Sequence, residues 1–351
     1  MSTKFSIRLL ALGGMAAGVL GLATGSASAQ VIPPEIQASI NATTTAVISA
    51  VTRPTSPFVT GIAAEIQPNT CGAAPWVRGS GGLVSSTTAG ATVDVRYGSA
   101  LVAADVGCFN MNGSGFDLTA GAELGKLWAT GNQPATPSAY ATLDQTFLAG
   151  YITAAKGGFA GDVEVRREWN TFTAQGLGGV GIPDGTQLNV DRTIVNAGAS
   201  YAIPFANNFS FIPAAGLSYL HTDAASVTLP AGTASIAADD GLIGYIGATL
   251  ATTIVLPDQA SALQPFATAT YYHDFGTDLT GTFTPAGGGA PITAQLSGLG
   301  DYGELSLGIN YVKVLDGPGA PRQFSATLRG DAKFNGTFHG FNVTAQARLQ
   351  F

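Results

Sequence analysis

The last eleven residues constrain this chain more than any other stretch. It ends FNVTAQARLQF. Phe341, Val343, Ala345, Ala347, Leu349 and the terminal Phe351 fall on one face of a strand. Asn342, Thr344, Gln346, Arg348 and Gln350 fall on the other, because side chains alternate across a strand with period two. One face therefore needs an apolar neighbour and the other a wet one. Closing strands of this kind, ending on an aromatic, suit a barrel with lipid outside and a polar lumen inside. Phe351 is accordingly expected to act as an assembly signal.

Charge usage agrees with a lipid-facing exterior. Only 11% of the residues are charged, against about 25% in soluble domains. Residues 1–29 read as a secretory signal peptide. Lys4 and Arg8 form its positive end, an apolar run spans Leu9 to Leu22, and Ala27-Ser28-Ala29 is a small-residue cleavage site. Taking Lys4 and Arg8 from the 15 basic residues leaves 13 against 22 acidic ones, a mature net charge of −9. An acidic chain of this kind is a poor partner for nucleic acid. Spanning helices are disfavoured too. Gly241 to Pro257 and Thr193 to Leu220 lack charge, but glycine, proline, threonine and asparagine interrupt them. A spanning helix needs about 20 apolar residues.

Alternating segments rich in Tyr, Phe and Val recur between turn signals. The predicted strands are Trp76–Ser85, Thr92–Val106, Phe116–Trp128, Tyr140–Ala154, Phe159–Phe172, Leu188–Ile203, Phe209–His221, Leu242–Leu256, Leu263–Phe275, Tyr302–Val314, Gln323–Phe334 and Phe341–Phe351. The fold class is thus all-β: a transmembrane antiparallel up-and-down barrel of about twelve strands, over residues 74–351. Short turns such as Lys156-Gly157-Gly158 mostly alternate with longer loops, including a polar loop reaching Asp240 and a Gly-rich loop around Gly287.

Charges of both signs gather on one face of several strands. Asp94 and Arg96 oppose Val93, Val95 and Tyr97; Asp162, Glu164, Arg166 and Glu168 oppose Val163, Val165 and Trp169. Glu304 opposes Leu305 and Leu307, and Arg329 and Asp331 oppose Leu328 and Ala332. A charge facing lipid at mid-depth costs about 2–4 kcal/mol. Asp94, Arg96, Asp162, Glu164, Arg166, Glu168, Glu304, Arg329, Asp331 and Arg348 are therefore expected to line the lumen. Arg167 breaks the pattern and is expected at a rim. Cys71 and Cys108 lie at mirrored distances from Thr88-Ala89-Gly90, so a hairpin centred there would bring them together as a disulfide.

Residues 30–73 form a short leader. Pro33-Pro34-Glu35 suits a helix start; Ile36, Ile40, Val47 and Val51 follow at helical spacing, and Pro54 ends the stretch. A short helix built from these residues is expected to sit in the pore, with a frayed leader as the alternative.

The chain resembles the autotransporter β-barrel (translocator) domain. The carrying residues are Pro75-Trp76-Val77-Arg78-Gly79, the segment Leu263 to His273, the segment Gly303 to Tyr311, and the final hairpin from Arg329 to Phe351. The resemblance covers about Ala74 to Phe351. It implies a twelve-stranded barrel with a helix in its pore, inserted into the Gram-negative outer membrane by the assembly machinery. Periplasmic chaperones and outer-membrane lipids would be its other partners. Members of that family carry a large passenger between signal and barrel; here only about 44 residues, Gln30 to Ala73, lie there.

No HExxH, P-loop, nucleophile elbow or paired Cys/His spacing occurs, so neither enzyme activity nor a metal or other cofactor is expected. His273-Asp274 is the one fragment that a surface hydrolase would share; beside Tyr271 and Tyr272 it reads better as part of an interfacial girdle. The leading expectation is a plugged translocator-type barrel. A passive diffusion porin is the alternative, and an adhesin role for the outer loops stays open.

Overall fold

A computed structural model describes residues 70–88, 91–132, 140–176, 182–205, 209–258, 260–276, 279–296, 300–315 and 323–350. The strands are β1 (Thr70–Thr88), β2 (Ala91–Phe109), β3 (Phe116–Asn132), β4 (Tyr140–Lys156), β5 (Phe159–Gln175) and β6 (Thr186–Tyr201). Then come β7 (Ile203–Phe205), β8 (Phe209–Thr222), β9 (Ala225–Leu229), β10 (Gly232–Ile236), β11 (Asp239–Thr252) and β12 (Ile254–Val255). The last six are β13 (Ser261–Asp274), β14 (Leu279–Pro285), β15 (Ile292–Leu296), β16 (Tyr302–Val314), β17 (Gln323–Phe334) and β18 (Phe338–Gln350). One 3-10 turn at Met111–Gly113 is the only helical element among the described residues. The predicted pore helix and Phe351 lie outside them.

Twelve long strands make a closed antiparallel wall: β1 to β6, β8, β11, β13, β16, β17 and β18, with β1 paired to β18 and β8 to β11. Closure removes every edge, so all backbone groups at membrane depth are satisfied within the wall. The short β7 and β12 extend the feet of β8 and β13. Cys71 pairs with Cys108 in the β1–β2 register, and the two form the expected disulfide with Cα atoms 4.0 Å apart.

Connections at one end of the wall include 157–158 and 253–260; those at the other end include 223–238 and 275–301. Bacterial barrels keep short turns in the periplasm and long loops outside, so the second end is the outer one. β1 to β6 run 16–19 residues. Only about 9–11 residues are needed to cross the hydrocarbon. The outer parts of these strands therefore rise above the bilayer.

The two longest outer connections are not the irregular loops that the sequence suggested. Residues 225–236 and 279–296 fold into a four-stranded sheet in the order β15-β14-β10-β9. Its seam joins the two connections, with β10 paired antiparallel to β14. Leu229, Ala234, Ile236 and Phe283 pack into one apolar cluster with the wall residues Val84, Val93, Val95, Leu127, Leu143, Phe172, Leu188, Val190 and Ile243. The main hydrophobic core thus sits inside the outer mouth, and the sheet caps it.

Candidate functional site: the barrel interior and its mouth

The wall changes polarity along its length. In the membrane zone the outward face is apolar, with Val102, Val106, Leu124, Leu148, Val163, Val165, Leu217, Ile246, Leu305 and Leu307 exposed. Aromatics flank this band: Trp128, Trp169, Tyr219 and Tyr271 toward the outer end, and Phe159, Tyr201, Phe209 and Phe211 toward the other, as interfacial girdles require. Above the band the arrangement inverts. Val93 and Val95, 2% and 1% exposed, point into the capped core, while Asp94 and Arg96 stand on the opposite face, toward water. The expectation that Asp94 and Arg96 line the lumen is thus corrected. Above the bilayer the solvent is outside, and the cap makes the inside dry. Lys126 and Asp144 pair on the same outer surface, 2.9 Å apart. Arg167 is likewise outward, bonded to Asp191 and Asp223 at 2.9 and 2.7 Å.

Inside the membrane zone, charges interleave. Arg166 reaches Glu123 and Glu164, each at 2.9 Å, and Glu168 at 3.9 Å. Its guanidinium lies 4.4 Å from the centre of the Phe147 ring. Phe147 in turn lies over Gly125, where an added Cβ would meet the ring at 2.2 Å, so glycine is what lets the stack form. Arg192 binds the 1%-exposed Glu168 at 2.5 Å. Across the wall, Arg329 joins Glu304 at 2.9 Å and contacts Asp331, and Lys333 approaches Glu304 at 3.6 Å. Arg348 on the closing strand meets Asp105 at 2.8 Å, where Tyr151 also donates to the carboxylate at 2.7 Å. Asp162 is half-buried beside Gly198. Some of these bonds join adjacent strands, as Arg192 to Glu168 and Arg329 to Glu304, and others span an intervening strand, as Arg166 to Glu123 and Arg348 to Asp105, so the ions brace the wall instead of leaving one sign bare to the lumen.

Of the ten residues expected in the lumen, the structure brings Glu164, Arg166 and Glu168 into one inward network, Glu304, Arg329 and Asp331 into a second, and ties Arg348 to Asp105. Sequence reasoning missed Arg78, Asp105, Glu123 and Arg192. In Val190-Asp191-Arg192-Thr193 adjacent charges point to opposite faces, so alternation alone could not say which was inside. Lys333 shared the Arg329 and Asp331 face and was readable there.

Beneath the cap, Tyr272 and Tyr302 stack with ring centres 4.4 Å apart, and Phe338 tilts against Tyr302 at 5.6 Å. At the outer rim, His273 pairs with Asp301 at 2.6 Å, while Asp274 is buried on the inward face. His273 and Asp274 therefore do not form a catalytic dyad. Asp301 is held below the usual carboxylate range: burial works against this, and hydrogen bonds from His273 and Tyr271 outweigh it.

A closed antiparallel wall, apolar outside at membrane depth and ionised within, defines an integral outer-membrane β-barrel. Residues 75–313 match the autotransporter beta-domain, and the chain belongs to that family. Its fold is similar to the beta domain of the Bordetella autotransporter BrkA at 15% identity, covering 80% of this chain and 100% of that one, with a TM-score of 0.57. It is also similar to the transport unit of AIDA-I from Escherichia coli (14% identity, 87% and 98% covered, TM-score 0.56). The translocator domain of NalP from Neisseria meningitidis gives 19% identity, 81% and 90% coverage and a TM-score of 0.54. No curated protein sequence matches the chain. Family membership places it in the Gram-negative outer membrane.

Proposed function

We propose that this barrel is a translocator-type domain whose conduit is occupied from the periplasmic side by the part of the leader that precedes β1, residues 30–69. The observation that carries this reading is the set of inward polar atoms that make no protein hydrogen bond: Gln145 Nε2, Arg166 Nε, Asn196 Oδ1 and Asn342 Oδ1. Buried polar groups require partners, and a leader with polar, small side chains supplies them together with water. Residues 1–29 direct export and are removed, and the assembly machinery, with periplasmic chaperones, inserts the barrel. No catalytic role is assigned to it.

Conductance in planar bilayers tests the reading, with the mature protein compared to a version lacking residues 30–69. A small or absent current that grows on deletion is the expected result. A large, steady current unchanged by deletion overturns it and favours a passive porin, whose mixed-charge wall would sort solutes only weakly.

A further inference from the structure

The ring closes where β18 lies against β1, and the middle of that seam carries little to fix its register. β1 brings Gly79, Gly81 and Gly82 to it, and β18 brings Gly340, Ala345 and Ala347. Backbone hydrogen bonds form equally well after a slip of two residues, and such a slip keeps every side chain on its own face. Gly-rich strands specify register weakly for this reason. The choice falls to side chains that reach across the seam.

The first four strands build a receiver for one cation. Asp105 on β2 has a fully buried side chain. Its two oxygens are bound from opposite sides: Tyr151 of β4 donates to Oδ2 at 2.7 Å, and Arg348 of β18 donates to Oδ1 at 2.8 Å. The Tyr151 hydroxyl in turn accepts from Trp76 Nε1 of β1 at 2.9 Å. Tyr151 crosses β3 at Gly121, which faces both Asp105 and Tyr151; a Cβ there would meet the phenol ring at 2.6 Å. Arg348 crosses β1 in the same way. It stands opposite Trp76, while Asp105 stands opposite the small Ala74.

Each end of this bond is unique on its strand face. Asp105 is the one charged side chain that β2 turns inward, and Arg348 is the one that β18 turns inward. The neighbours of Arg348 on that face are Gln346 and Gln350. A slip of two residues in either direction carries Arg348 about 7 Å away and sets a glutamine beside the carboxylate. We propose that Asp105 selects the register in which the barrel closes, accepting Arg348 and disfavouring the offset alignments, in which the buried carboxylate lacks its cation. The selection concerns the wall alone and holds whatever fills the pore.

Cross-linking reads the register directly. In the full chain, Gly79→Cys is combined in turn with Ala345→Cys, which it faces, and with Val343→Cys or Ala347→Cys, each two residues off. These positions stand on the outward face, away from the ion pair, and a Cβ on Gly79 meets nothing closer than 3.8 Å. Directly opposed thiols bridge, and diagonal ones, roughly 7–8 Å apart, bridge poorly. The protein is oxidised in membranes by a lipid-permeant oxidant, and each bridged fraction is measured. With Asp105 and Arg348 intact, the bridge to Ala345→Cys should dominate. Arg348→Gln and Asp105→Asn, each made alone, should lower the ratio of that bridge to the offset bridges by roughly tenfold or more. Gln346→Arg with Arg348→Gln, which moves the cation two places, should carry the bridge to Val343→Cys, and adding Asp105→Asn should abolish the transfer. A ratio unchanged by both single substitutions overturns the proposal, as does a relocated arginine that leaves the bridge at Ala345→Cys. Where the relocated variant does not insert, the two single substitutions decide. Loss of inserted protein in both of them, with no offset bridge formed, also counts against the proposal, because it assigns the pair to stability alone.

Discussion

Arg166 is surrounded by Glu123, Glu164 and Glu168 and backed by the Phe147 ring. Such a site is stable only as a set. Withdrawing charges from water is costly, and mutual attraction offsets this only while each ion keeps its partners. Replacing one partner leaves the others buried and uncompensated, a loss of about 3–5 kcal/mol. Arg166→Met is therefore expected to destabilise the folded barrel by that amount. The readout is the denaturant midpoint, followed by the gel mobility difference between folded and unfolded protein. A midpoint equal to that of the unaltered protein would remove the bracing role. Alternation exposed Glu164, Arg166 and Glu168 as one face, but the partner Glu123 lies 43 positions from Arg166 in sequence, and only the register of β3, β4 and β5 brings them together.

Single strands were legible because a wall strand at membrane depth has only two environments. β5 and β17 show it plainly, with Val163, Val165 and Trp169 outside against Glu164, Arg166 and Glu168, and with Leu328 opposite Arg329. The reading failed where a third environment appeared. β2 keeps its alternation through Asp94 and Arg96, yet the meaning of each face reverses once the strand leaves the bilayer. β9, β10, β14 and β15 were read as loop because runs of five to seven residues rich in Ser, Thr and Gly carry a weak period-two signal. The first hairpin was the easiest element, since its two cysteines report its register. They close a separation of 37 residues at the periplasmic end. Loops of that order gain about 2–4 kcal/mol from a disulfide. Cys71→Ser should lower the unfolding free energy by that amount, and the unaltered protein alkylated without reductant should carry no label. Two labels would show the thiols to be free.

As a whole molecule, the barrel must reach its membrane before any of these interactions can form. β18 pairs with β1 to complete the ring, so β18 is one side of the closing seam. Removing Phe351 is expected to reduce the fraction of protein found folded in the outer membrane, with the remainder in the periplasm or degraded. Normal yield would deny that residue its recognition role. Twelve strands, the apolar exterior and the family were all readable before the structure, because lipid imposes the same rule on every turn of the wall. The cap was not, because it depends on two segments about fifty residues apart in sequence meeting over a mouth that neither covers alone.

That cap also sets what the protein presents to its surroundings. With Leu229, Ala234, Ile236 and Phe283 turned down, the upper surface carries Ser226, Thr228, Thr233, Ser235, Thr282, Thr284 and Thr293. None of these bears a charge, and the strand registers place Thr233 beside Thr284 and Ser235 beside Thr282. A phage, an antibody or a neighbouring cell that lands on these cap strands therefore meets a hydroxylated tile where a porin would offer a hole, and grips it by hydrogen bonding and shape.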